Sequence, residues 1–289
     1  MPTIDGHTRL VGLIGYPVEH TRSPEMHNAA FDALGLNYCY VPLPVAPADL
    51  GAAIGGLAAL GFVGVNVTIP HKQAVIAYLN ELSAEAQAIG AVNTILFAGG
   101  RRIGYNTDGA GFLRALTDRG FSAAGRRALV LGAGGAARAV VYTLSQAGAQ
   151  VTVLNRTAAK AASLAAELRR YAGGPIESGA LAAERIAALV PSVDLVVNAT
   201  SLGMGPHVGE TPWPAEVAFP SAAIAYDLIY SGATGARPTA FLRQAEAAGA
   251  QTLDGSHMLV YQGALAFEKW TGQPAPVEVM MAVLMGQHR

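Results

Sequence analysis

Four short stretches gather hydroxyls, amides and a few charges in an otherwise apolar chain: Thr21-Arg22-Ser23-Pro24, Asn66-Val67-Thr68-Ile69-Pro70-His71-Lys72, Ala91-Val92-Asn93-Thr94 and Tyr105-Asn106-Thr107-Asp108. Side chains of these types donate and accept hydrogen bonds at many points. Together they suit a small ligand rich in hydroxyls with one carboxylate, bound where the strands of an open α/β sheet run out. Singly, each has a plainer explanation. Thr21 or Ser23 could cap a helix that begins at Pro24, and Asn66 or Asn93 could satisfy turn backbone. Lys72 could be a solvated helix lysine, and Asp108 a helix cap.

A second chemistry is written in Gly132-Ala133-Gly134-Gly135-Ala136-Ala137, which fits G-x-G-x-x-[G/A] after an apolar strand and at a helix start. Gly132 permits the tight turn, Gly134 lets backbone approach a pyrophosphate, and Ala137 keeps helix and strand close. Free N–H groups and the helix dipole favour the anion. The next strand ends Leu154-Asn155-Arg156-Thr157, where an NAD enzyme would place a carboxylate on the ribose hydroxyls. Asn155 is neutral, Arg156 offers a planar fork of donors, Thr157 adds a hydroxyl, and Lys160 lies within one turn. That set favours NADP over NAD. The alternative is that Arg156 and Lys160 are solvated charges around an N-cap, Thr157.

The elements that must position these groups alternate. The apolar run ending at Ile14, Tyr38–Leu43 and Gly64–Thr68 read as strands, with a helix from Pro24 to Leu34, so the first third is an α/β domain. A helix from about Thr107 to Arg119 leads to the strand Ala128–Leu131. Further buried-type strands at Val151–Leu154, Asp194–Thr200 and Ala223–Ile229 predict a doubly wound sheet. An amphipathic helix over Ser256–Trp270 follows the last strand and is placed to fold back onto the first domain. The apolar stretch Leu50–Val65 is shorter than the roughly 20 residues that span a bilayer and is broken by glycines, so it reads as core.

The 289 residues fit two domains of about 100–200 residues better than one. Hydrophobic residues make up 52% and charged ones 13%, which excludes extended disorder, and a net charge of -1 gives no basic field for nucleic acid or anionic lipid. Cys39 is the sole cysteine, which rules out an internal disulfide and suits a reducing, cytoplasmic setting. The histidines show no metal-ligand spacing, so no metal is expected, and His27 and His71 read as structural partners.

The series Gly15-Tyr16-Pro17-Val18-Glu19-His20, Ser23-Pro24, His27-Asn28, Asn66–Lys72, Gly90–Thr94 and Asn106-Thr107-Asp108-Gly109 resembles the shikimate dehydrogenase family, and the match continues through Gly132–Arg138, Asn155–Thr157, Asn198–Met204, Asp227–Tyr230 and Met258–Gln262. The resemblance covers nearly the whole chain, in the family's order. It implies a substrate domain of residues 1–109 completed by C-terminal helices in 255–289, a Rossmann-type NADP domain of residues 110–254, and an active site in the cleft between them. It implies that Lys72 and Asp108 are catalytic, that Thr21 and Ser23 meet the substrate carboxylate, and that Asn66, Thr68, Asn93, Tyr230 and Gln262 line the pocket. Cofactor contacts are implied at Gly132, Ala133, Gly134, Gly135, Ala136, Asn155, Arg156, Thr157, Lys160, Thr200, Met204, Leu228 and Gly255. The implied reaction is reversible reduction of 3-dehydroshikimate to shikimate, by a monomer or homodimer. Hydride leaves a carbinol carbon only if the hydroxyl proton leaves too, and Lys72 against Asp108 could relay that proton.

Three departures stand out. Thr21 replaces the family's usual serine, His257 stands where glycine is common near the nicotinamide, and the Ser231–Pro238 loop runs long. Thr21 keeps open a quinate or dual quinate/shikimate dehydrogenase, and a non-catalytic ring-acid sensor is the more remote alternative.

Overall fold

Apolar runs covered on both faces become parallel strands, and in this chain they build two separate sheets. The computed structural model describes residues 4–230 and 237–286. Two compact units result, one running to Gly111 and resuming at Leu259, the other Phe112–Met258.

The first unit contains β1 (Arg9–Gly15), α1 (Ser23–Ala33), β2 (Tyr38–Pro44), α2 (Leu50–Ala59), β3 (Gly64–Val67), β4 (Glu81–Leu82), α3 (Ala84–Ile89), β5 (Thr94–Ala98) and β6 (Arg101–Tyr105), and α4 (Asp108–Thr117) begins in it. The sheet order is β2-β1-β3-β5-β6-β4. β1 pairs in parallel with β2 and β3, whereas β5 runs antiparallel to both β3 and β6. Strand and helix alternation does not predict this hairpin. Its signal is Gly99-Gly100, whose φ values of 57° and 74° suit a two-residue turn that β-branched residues would strain. Ile14, Leu50, Ile54, Val65, Val67 and Ile95 form the core of this unit, with α2 supplying the apolar face read from Leu50–Val65.

The second unit contains β7 (Arg127–Leu131), α5 (Gly135–Gln146), β8 (Gln150–Asn155), α6 (Ala158–Leu168), β9 (Ile176–Ala180), α7 (Ala183–Leu189), β10 (Leu195–Asn198), β11 (Ile224–Asp227), α8 (Ala240–Ala247) and β12 (Gln251–Leu253). Its six strands are all parallel in the order β12-β11-β10-β7-β8-β9. The order reverses between β7 and β10, which is the doubly wound arrangement expected. Leu129, Leu131, Val196, Trp213, Phe219 and Phe241 pack in its core.

Two helices close the chain, α9 (Ser256–Thr271) and α10 (Val277–Leu284). From Leu259 onward they belong to the first unit. Phe267 stacks on Phe31 with ring centroids 5.1 Å apart, and the Trp270 indole N–H donates to the Ile95 carbonyl at 3.1 Å. Among the described residues no helix is long and apolar enough to cross a membrane.

Candidate active site

The antiparallel strand decides where the polar clusters meet. Asn66–Lys72 straddles the end of β3 as expected, but Asn93-Thr94 lies at the start of β5, so for that cluster the expectation that it sits where a strand runs out needs correcting. Because β5 runs opposite to β3, its beginning lies level with the C-terminal end of β3: Asn66 pairs with Thr94, and Thr94 with Tyr105. The same edge therefore collects residues from the end of β3, the start of β5, the end of β6 and the first turn of α4.

Lys72 follows β3 in a turn, not a helix, and its side chain is only 15% exposed. Its ammonium donates to Asp108 Oδ2 at 2.6 Å, and the carboxylate is 5% exposed. Asp108 opens α4, but its two oxygens are engaged by side chains: Oδ1 accepts from Asn93 Nδ2 at 2.9 Å. Removing either member of such a buried pair leaves the other charge uncompensated. Asn93 Nδ2 also lies within donating distance of Thr107 Oγ1 at 2.8 Å and Gln262 Oε1 at 3.2 Å. Asn93 does meet turn backbone too, since its Oδ1 accepts from the Thr107 N–H at 2.8 Å.

Asn66 donates to the Asn93 carbonyl and to Thr94 Oγ1, at 3.2 and 3.1 Å, and accepts from the Tyr40 hydroxyl at 2.8 Å. Lys72, Asp108, Asn93, Gln262 and Asn66 thus form one connected cluster. Thr21, Ser23 and Thr68 make no side-chain hydrogen bond to it. Thr68 is half-buried and follows β3. Thr21 and Ser23 do not cap α1 as side chains; the N-cap position is Arg22, and Thr21 Oγ1 accepts from the Ser23 N–H at 3.3 Å. In the first turn of α1 the Ser23 and Met26 N–H groups are engaged and Pro24 has none, so of these residues the Glu25 N–H is the one left for an anion.

Sequence reasoning passed over Tyr40, Thr94 and Thr107 as site members. The two threonines lay inside clusters already singled out, without a role. Tyr40 carried one signal, a tyrosine in an apolar strand, whose hydroxyl needs a partner once buried. Of the two histidines, His71 Nε2 lies 2.7 Å from the Val45 carbonyl. His27 is fully buried and holds its place by stacking on Tyr40, centroids 4.5 Å apart and rings 2° from parallel. Among the described residues neither His27 ring nitrogen has a hydrogen-bond partner, and burial pushes its pKa down to about 3.

In the second unit, Gly132 follows β7 with φ +113°, and a Cβ there would meet the Ala199 carbonyl oxygen at 2.8 Å. Gly134 is the N-cap residue of α5, exposed, with no side chain capping the helix and nothing within 4 Å of a built Cβ. Uncapped N–H groups on Ala133-Gly134-Gly135-Ala136 fit a pyrophosphate. Past β8, Asn155 donates to the Thr157 carbonyl at 3.0 Å, while Arg156, Thr157 and Lys160 are exposed. Thr157 holds the N-cap position of α6 but its hydroxyl does not cap it. Among the described residues neither Arg156 nor Lys160 is in a salt bridge, so both charges are available to a 2′-phosphate.

A buried group braces the loops after β10 and β11. Asp227 accepts from Thr239 Oγ1 at 2.6 Å, Asn198 Nδ2 at 3.0 Å and the Ile229 N–H at 3.1 Å. Burial raises its pKa to about 6 against those three donors. Asn198 Oδ1 accepts in turn from Thr200 Oγ1 at 2.7 Å. Met204 is exposed, Leu228 and Tyr230 are half-buried, and the Gly255 N–H donates to the Ile229 carbonyl at 3.1 Å. His257 is half-buried; burial, then Arg119, lower its pKa while Asp254 and Asp118 oppose them. Most of the long loop, residues 231–236, lies outside the described residues. Among the described residues no group of three or more His, Cys, Asp or Glu could hold a metal.

A doubly wound sheet with that first turn defines a dinucleotide-binding α/β protein. Residues 13–95 match the family described as shikimate dehydrogenase substrate binding domain, residues 115–204 match shikimate / quinate 5-dehydrogenase, and residues 255–285 match shikimate 5'-dehydrogenase C-terminal domain. The chain is 47% identical over 285 residues to the shikimate dehydrogenase (NADP(+)) of Methanopyrus kandleri, covering 98% of this chain and 97% of that one. A crystal structure of a shikimate dehydrogenase with NADP+ superposes with a TM-score of 0.88 at 40% identity, covering 99% and 97% of the two chains. The Thermus thermophilus shikimate 5-dehydrogenase with NADP(H) and shikimate gives 0.83 at 39% identity, covering 97% and 100%. The chain belongs to the shikimate dehydrogenase family, a family of oxidoreductases.

Proposed function

We propose that this chain is an NADP-dependent shikimate dehydrogenase, reversibly reducing 3-dehydroshikimate to shikimate. The observation that carries the assignment is the Lys72–Asp108 pair at 2.6 Å, held by Asn93 beside Gln262. Family membership and relatives named shikimate dehydrogenase (NADP(+)) support shikimate over quinate.

The first unit binds the substrate. Its carboxylate meets the hydroxyls of Thr21 and Ser23 at the start of α1, and its ring hydroxyls meet Asn66, Thr68, Asn93 and Gln262. Lys72 gives a proton to the forming hydroxyl during reduction and takes it back during oxidation. Asp108 keeps the ammonium aimed and compensates its charge, and a group in hydrogen-bond reach of the reacting oxygen is what such a transfer requires. The second unit holds NADP through Gly132–Ala136 at the pyrophosphate and Asn155, Arg156, Thr157 and Lys160 at the 2′-phosphate, with Thr200, Met204, Leu228 and Gly255 along the rest. Bound NADPH supplies the hydride. The assembly expected is a monomer or homodimer. The single buried thiol, Cys39, suits a cytoplasmic setting.

The test is absorbance at the nicotinamide band with shikimate and quinate, each with NADP and NAD. Reduction is expected chiefly with shikimate and NADP. Lys72→Ala should lower kcat about 10²- to 10⁴-fold, the usual contribution of a general acid–base group, with the far-ultraviolet circular dichroism unchanged. Turnover chiefly with quinate or NAD would overturn the specificity assigned. Binding without turnover would favour a sensor.

A further inference from the structure

One series of hydrogen bonds beneath the Lys72–Asp108 pair runs in a single direction, with the Thr107 hydroxyl beside it accepting from Asn93 Nδ2 at 2.8 Å and donating back to Asn93 Oδ1 at 3.2 Å. Backbone groups fix the amides: the Thr107 N–H must meet an oxygen, which sets Asn93 Oδ1, and the Asn93 carbonyl must meet an N–H, which sets Asn66 Nδ2. Asn66 Nδ2 then donates to Thr94 Oγ1 at 3.1 Å, so the Thr94 hydroxyl spends its own proton on Asn93 Oδ1 at 3.0 Å. Tyr40 donates to Asn66 Oδ1 at 2.8 Å, and Asn93 Nδ2 donates to Asp108 Oδ1 at 2.9 Å. The sequence of donors is Tyr40, Asn66, Thr94, Asn93, ending on the carboxylate that Lys72 approaches from its other oxygen.

We propose that the Thr94 hydroxyl is the positioning group that couples the Asn66 and Asn93 amides into one directional hydrogen-bond chain and so holds Asp108 and the remaining acceptors for the substrate's ring hydroxyls. Thr94 is fully buried, so it acts through its neighbours and touches no substrate. Its place follows from the antiparallel register, which sets it between Asn66 and Tyr105. Hydrogen bonds in a chain polarise one another, and one that ends on a carboxylate is the strongest kind available to neutral donors. The donor count also gives a specificity. Asn66 has both amide hydrogens committed and a lone pair of Oδ1 remaining. Asn93 has two hydrogens for three acceptors, and the most distant of these is Gln262 Oε1 at 3.2 Å. Two acceptors thus remain for ligand, so the pocket selects groups that donate, namely ring hydroxyls, over ethers or deoxy positions.

This inference rests on the shikimate assignment, and the experiment separates the two. Thr94→Val keeps the branched shape that β5 accommodates and removes the hydroxyl; Thr94→Ser keeps the hydroxyl. In Thr94→Val, kcat/KM for shikimate should fall about tenfold while KM for NADP stays within twofold, and Thr94→Ser should recover to within about threefold. Tyr40→Phe, which removes only the first donor, should show a smaller loss of the same sign. Hydrogen exchange of the Asn66 and Asn93 side-chain amides, followed by nuclear magnetic resonance without ligand, should be slow in the parent and in Thr94→Ser and faster in Thr94→Val. A Thr94→Val protein with parental kinetics or unchanged amide exchange would overturn the coupling, as would losses in both threonine variants that track melting temperature alone. A parent protein inactive on shikimate would instead overturn the assignment, with the amide exchange still deciding the chain.

Discussion

In the unit that carries Lys72 the site is built from side chains locked to one another; in the unit that carries Gly132 it is built from backbone N–H groups and two solvent-facing cations. The first arrangement suits a ligand that must be held in one orientation for proton transfer, because Asn66, Asn93 and Asp108 have almost no freedom left once their hydrogen bonds are made. The second suits a ligand that supplies its own charge, because phosphates need donors and positive potential more than a rigid cage. Precision therefore rests on packing in one unit and on chain conformation in the other, and substitutions should expose that difference.

The largest effect should come from the conformation of the glycine turn. Gly132→Ala forces a residue with φ near +113° and a Cβ 2.8 Å from the Ala199 carbonyl oxygen, at a cost of roughly 1–3 kcal/mol from the backbone alone. Gly134→Ala meets nothing within 4 Å, so stability should hold while affinity for NADP drops. Thermal melts with and without NADP separate the two. A Gly134→Ala protein that loses as much stability as Gly132→Ala would break the contrast drawn between a strained position and an open one.

Next comes Arg156→Ala. Arg156 is exposed and among the described residues is in no salt bridge, so its removal should leave melting unchanged. A hydrogen bond to a charged group is worth about 1.5–3 kcal/mol, which makes KM for NADPH rise roughly 10- to 100-fold with little change for NADH. Equal weakening toward both nucleotides would remove the 2′-phosphate from the account and leave Arg156 a general surface charge.

The same contrast explains what was legible in the sequence. Gly132–Ala137 could be read because a phosphate meets consecutive backbone groups, so the whole device is local, and the parallel apolar strands around it were equally plain. Lys72 and Asp108 stand 36 positions apart, and no spacing rule joins them. Their meeting depends on β5 running antiparallel to both β3 and β6, which the alternation of strands and helices hides; Gly99-Gly100 betrays only the β5–β6 half of it. The family resemblance supplied the pairing that local pattern could not. It did not supply Tyr40 or Thr94, whose roles exist only once the register is fixed. It also did not show that His27 is held by ring stacking rather than by hydrogen bonds.

That histidine and Asp227 give the two units opposite responses to acid. His27 has a folded pKa near 3 against an ordinary value of 6.5, so the unfolded chain binds more protons and stability is lost as pH falls below 6.5. Asp227 has a folded pKa near 6 against 3.8, so the folded chain binds more protons and its contribution, present in full below 3.8, is lost as pH rises through 6. Each slope is at most about 1.4 kcal/mol per pH unit, and between pH 4 and 6 they oppose each other. His27→Phe preserves a ring to stack on Tyr40 and removes the acid loss, so stability should rise less steeply with pH over this window. Asp227→Asn removes the opposing slope, so stability should rise more steeply than in the parent. Urea unfolding at several pH values from 4 to 6.5 gives both slopes. Parallel curves for the parent and His27→Phe would mean that His27 finds a proton partner in the folded chain, and the stacked, unpartnered ring could not then be the resting arrangement of the first unit.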